Sequence, residues 1–76
     1  MLTSNQVTEI KKVVLESTLA DAKTVRVLPT AHRVIVPQGV VVVDLVKALF
    51  DAGFSTLDVR NTPTTVVLVV KEANNG

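Results

Sequence analysis

The sequence contains no cysteine. Disulfide staples and thiolate metal sites are therefore excluded, and a chain of 76 residues must hold itself together by packing alone. Tryptophan and tyrosine are also absent, leaving Phe50 and Phe54 as the sole aromatic residues. The core must be aliphatic, and the large aromatic anchors common at protein interfaces are missing. Glycine is sparse, three residues in all; Gly39 and Gly53 stand alone within the chain and Gly76 ends it, so no glycine-rich phosphate loop exists. Neither sign of charge dominates. Eight Lys and Arg against seven Asp and Glu give a formal +1, which supplies no general attraction to nucleic acid or to an anionic membrane. The apolar runs fall far short of the roughly 20 residues a membrane helix needs. The start, Met1-Leu2-Thr3-Ser4-Asn5-Gln6, lacks the basic and apolar regions of a secretory signal. The expectation is a soluble protein that is not secreted by a signal peptide, touches no membrane and uses no cofactor. It would work in the cytoplasm or within a particle assembled inside a cell.

Valine is what the chain has in excess. It clusters in Val40-Val41-Val42-Val43 and in Val66-Val67-Leu68-Val69-Val70. Side chains on a strand point alternately to its two faces. A strand buried on one face alternates apolar with polar. Five apolar residues in succession put apolar surface on both faces, and so small a domain has little material to cover both. Something outside the monomer is expected to cover the second face.

The chain divides at readable signals into a single domain. Thr3 and Gln6 have the spacing of a capping box, with Leu2 and Val7 placed as a hydrophobic staple. Val7, Ile10 and Val14 follow at helical spacing, which predicts a helix over 3–21; Leu15 and Leu19 fall on a different side of it. Strands are expected at 23–28 and 33–37, joined by a turn at Pro29-Thr30-Ala31. Pro37-Gln38-Gly39 is a second turn. Val40 to Val43 can either finish a strand or open a helix. Asp44 is a good N-cap for a second helix over 44–52, with Gly53 as its stop. Two further strands, 55–60 and 65–71, are joined by Asn61-Thr62-Pro63-Thr64 as a hairpin. The order αββαββ suits an α+β two-layer sandwich, with two helices on one face of a four-stranded, mainly antiparallel sheet. That order is similar to the KH-like and BON-like modules. The nucleic-acid-binding KH module uses a Gly-x-x-Gly loop that Gly39 and Gly53 do not supply, and no family is assigned.

Alternation assigns the faces. Val25, Val27, Val34, Val36, Leu57, Val59, Val66, Leu68 and Val70 are expected to face the helices. Leu28, Ile35, Val67 and Val69 then form an apolar stripe on the opposite face, with Arg26, Arg33, Asp58 and Arg60 around it. An apolar stripe with a charged rim is the pattern of a partner-binding surface. Were Thr65 to Val70 at a sheet edge, it would also invite the strand of a second copy.

The chemical readings are weaker. His32 is the single histidine and sits by a turn, with no second histidine to share a metal. Asp44 reads as a cap, Asp51 as the exposed side of a helix, and Asp58 as a strand partner of Arg26 or Arg60. Asp21, Glu9 and Glu16 are dispersed. No catalytic or metal site is expected. Arg26, Arg33 and Arg60 offer phosphate contacts for a small nucleic-acid-binding regulator. This alternative is disfavoured because the face has no aromatic ring on which bases can stack. The leading expectation is a non-enzymatic assembly or interaction protein. It would form a homo-oligomer through its valine-rich sheet, and one subunit of a larger, for example viral, particle fits that expectation. The tail Ala73-Asn74-Asn75-Gly76 is polar, and order there would imply that the fold or a neighbouring chain holds it.

Overall fold

The first helix, α1 (Ser4–Ser17), begins as its sequence predicts. In the computed structural model, which describes residues 1–72, Gln6 N–H donates to Thr3 Oγ1 at 3.1 Å. Thr3 N–H donates in return to Gln6 Oε1 at 2.9 Å, closing the capping box. Leu2 is buried, and its N–H donates to the Pro29 carbonyl at 3.1 Å, tying the helix entry to a distant turn. The helix ends earlier than periodicity alone predicts. Thr18 N–H and Thr18 Oγ1 both donate to the Val14 carbonyl, at 3.0 and 2.7 Å, and Thr18 Oγ1 accepts from Ala20 N–H at 3.2 Å. This side-chain competition for the last turn stops the helix. Leu19 is left wholly exposed and Leu15 partly so.

A similar local effect shortens the first strand. Asp21 Oδ1 accepts from Lys23 N–H at 3.0 Å, and the Asp21 carbonyl accepts from Thr24 N–H and Thr24 Oγ1 at 2.9 and 2.7 Å. Residues Ala22–Thr24 thereby form a 3-10 turn in place of the expected strand start. Strand β1 is only Arg26–Leu28, and β2 is Arg33–Pro37. Between them, His32 takes a left-handed backbone with φ 55°.

The second helix, α2 (Val42–Asp51), resolves the ambiguity of the valine run. Val41 is its N-cap residue, without a side-chain cap bond, and Asp44 lies in the first turn. Asp44 is therefore not the cap; its carboxylate faces the positive end of the helix dipole instead. Val40 and Val42 pack against the core, which draws the helix start forward. Gly53 stops the helix as expected, at φ 98° with its N–H donating to the Phe50 carbonyl at 3.0 Å.

Strands β3 (Phe54–Asn61) and β4 (Thr65–Glu72) complete one antiparallel sheet in the order β1-β2-β4-β3. The fold is the expected α+β class. Ile10 and Val14 of α1 and Leu45 and Leu49 of α2 meet Val34, Val36, Val66, Leu68 and Val70 of the sheet in one aliphatic core. Each such side chain contributes about 1.5–3 kcal/mol by leaving water. α1 packs beside β1, and α2 beside β3.

β3 departs from its predicted alternation. Thr56 pairs with Val70 and Asp58 with Val69, so Leu57 is an extra residue in a β-bulge. Leu57 is consequently 58% exposed and lies outside the core that it was expected to join. Past the bulge, Val59 returns to the inner-facing register opposite Leu68 but is still 38% exposed, because β3 is an edge strand. Among the described residues no helix is long and apolar enough to cross a membrane. The expectation about the tail from Ala73 to Gly76 lies outside the described residues.

Candidate functional site

The register gives the geometry of the outer sheet face directly. Read straight across the strands, Arg26, Ile35, Val67 and Arg60 form one row. Leu28, Arg33, Val69 and Asp58 form the next. Of the four stripe residues named from the sequence, Ile35, Val67 and Val69 are thus brought together on adjoining positions, and Leu28 lies diagonal to Ile35. All four are half-buried, shielded by their neighbours in the sheet, whereas Val66, Leu68 and Val70 of the same strand are buried. The difference has a simple cause: both helices lie on the other side, and no described element covers this one.

The charges lie around the stripe. Arg26 and Arg60 end their row at opposite edges of the sheet, whereas Arg33 sits between Leu28 and Val69. Arg60 Nε lies 3.1 Å from Asp58 Oδ2, an ion pair between two exposed side chains of β3. The sequence had offered Arg26 or Arg60 as the partner of Asp58, and the structure selects Arg60. It also separates the three arginines proposed for phosphate contact. Arg26 and Arg33 are diagonal neighbours, but Arg60 stands two strands beyond Arg33 and is engaged by a carboxylate.

The edges differ from one another. β4 is an interior strand, so Thr65 to Val70 offers no free edge to another chain. The open edges belong to β1, with three residues, and β3, with eight. Sequence reasoning missed the apolar surface beside β3. Leu57, Val59, Phe50 and Val43 are all exposed there or on the helix that packs against it. The spacing of Val43, Val46 and Phe50 was a usable signal, since these residues fall outside the arc defined by Leu45 and Leu49.

Other candidate features are modest. An open groove of about 420 Å³ runs between the end of α1 and the β2–α2 connection, with Leu19 and Val41 as its exposed apolar walls. His32 serves the backbone, its carbonyl accepting from Val70 N–H at 2.8 Å. Among the described residues, no three His, Cys, Asp or Glu side chains gather as a metal site would require. Thr56 Oγ1 is buried with no hydrogen-bond partner among those residues. Searches against family models, curated proteins and solved structures find no match to this chain.

Proposed function

We propose that this protein is a non-enzymatic assembly component that works by self-association, with the outer face of its sheet as a contact surface. One observation carries the reading: Ile35, Val67 and Val69 adjoin, with Leu28 diagonal to Ile35, on a face that no described element covers. Removing that stripe from water is favourable in proportion to the apolar area buried. Arg26, Arg33 and Asp58 around it keep the free subunit hydrated and set the orientation of docking. A subunit of this kind fits a larger homo-oligomeric particle. Its function would reside in the contacts it makes, with no chemical step.

The test compares the natural chain with a Val67→Thr/Val69→Thr variant by sedimentation velocity over a range of concentrations. Threonine keeps the branched shape and strand preference of valine while adding a hydroxyl that resists burial. The natural chain is expected to form oligomers that grow with concentration, and the variant to lose the largest of them. Indistinguishable profiles for the two chains would overturn the proposal.

A further inference from the structure

The open edge of β3 carries a second contact. The hydrogen bond from Val70 N–H to the His32 carbonyl shows that Val70 turns its backbone groups toward β2. The bond from Gln38 N–H to the Thr64 carbonyl, at 3.2 Å, shows the same for the even-numbered positions at the other end of β4. Backbone groups alternate in direction along a strand, so Leu68 also faces β2. Its partner on the other side, Val59, is left with its N–H and carbonyl pointing away from β4, into the open edge. The Val59 N–H is occupied instead by Asp58 Oδ1, at 3.0 Å.

Both edges have some protection against strand pairing, but not everywhere. β1 is only three residues long and ends against Pro29. The first half of β3 is broken by the Leu57 bulge. The segment after the bulge, Asp58 to Asn61, is regular, and its guard is the Asp58 carboxylate on the Val59 N–H. It is also flanked by apolar surface. Leu57 is 58% and Phe50 63% exposed. Asp44 lines the groove beside the end of α1, which places Val43, Val46 and Phe50 on the side of α2 turned away from α1.

We infer that β3 pairs antiparallel with β3 of a second copy, about a two-fold axis through Val59, joining two sheets into one of eight strands. The charge pattern selects a copy of this chain as the occupant. In that register Val59 exchanges backbone hydrogen bonds with its own counterpart. Asp58 of each copy then stands opposite Arg60 of the other, and the pattern is self-complementary. These pairs fall at non-hydrogen-bonded positions, where opposed side chains approach most closely. Pairing releases the Asp58 carboxylate from the Val59 N–H. It also brings the exposed apolar residues of the two α2 helices to the same seam, and leaves both outer stripes on one continuous face. The inference accepts self-association from the proposed function but uses a different surface. A subunit with two distinct self-contacts can assemble beyond a dimer.

The test uses the Val67→Thr/Val69→Thr background, which isolates the edge from the face. That chain is expected to stop at a dimer. Adding Asp58→Arg places arginine opposite Arg60 of the partner, and adding Arg60→Asp places aspartate opposite Asp58. Each is expected to be a folded monomer, with folding confirmed by circular dichroism. An equimolar mixture of the two restores opposite charges across the seam, although neither chain then has its internal Asp58–Arg60 pair. A one-to-one heterodimer in native mass spectrometry is the expected result. Two variants that dimerise as well alone as mixed, or a mixture that stays monomeric, would overturn the inference. Neither result would touch the comparison of the natural chain with the face variant, so the edge and the face fail separately.

Discussion

Val66, Leu68 and Val70 lie on one face of β4, and Val67 and Val69 on the other, with nearly the same chemistry and opposite surroundings. The inner three are buried under α1 and α2, whereas the outer two are half-buried on a face with no covering layer. The inner face therefore holds the domain together. The outer face adds little to the stability of the monomer and remains available for contact. Composition alone does not separate these roles. Parity along the strand does, once the position of the helices is known.

The sharpest way to separate the two faces is to remove comparable apolar bulk from each. Leu68→Ala empties a site at 0% exposure, and a loss of about 2–5 kcal/mol in urea unfolding is expected. An unchanged midpoint would mean that the inner face is not the core. The next effect comes from a flaw on the inner side of β3. Thr56 faces inward opposite Val70, and its hydroxyl has no partner among the described residues. Thr56→Val removes a buried polar group without changing shape. Thermal unfolding should rise by several degrees, for a gain of about 1 kcal/mol. A fall would place the hydroxyl in a bond with water. Thr3→Ala breaks the capping box at the start of α1 and should cost about 1 kcal/mol, read in the same way. The smallest effect on folding belongs to the outer face. Val67→Thr/Val69→Thr is expected to shift unfolding by less than about 1 kcal/mol, since strand propensities differ little between the two residues. A loss as large as that of Leu68→Ala would erase the distinction between the faces.

Much of this arrangement was legible in the residues. The capping box of Thr3 and Gln6, the Gly53 stop, both hairpins and the outer position of Leu28, Ile35, Val67 and Val69 all follow from local rules. What escaped detection depends on competing local bonds or on tertiary register. Thr18 and Asp21 turn the chain by side-chain bonds to the backbone, which hydrophobic periodicity does not report. The bulge at Leu57 was hidden by a clean alternation from Ser55 to Arg60, which would have suited an unbroken strand. The order of the strands, with β4 inside and β3 outside, also carries no signature within either strand. It decides that the open edge belongs to the strand with the Asp58–Arg60 pair, and so locates half of the proposed interface.

The most direct test of the account is sedimentation velocity of the natural chain beside Val67→Thr/Val69→Thr, with circular dichroism to establish equal folding. The predicted result is a natural chain whose mass grows beyond a dimer with concentration, and an equally folded variant that stops at a dimer. A natural chain that remains monomeric at every concentration, or two chains with superimposable profiles, would contradict it.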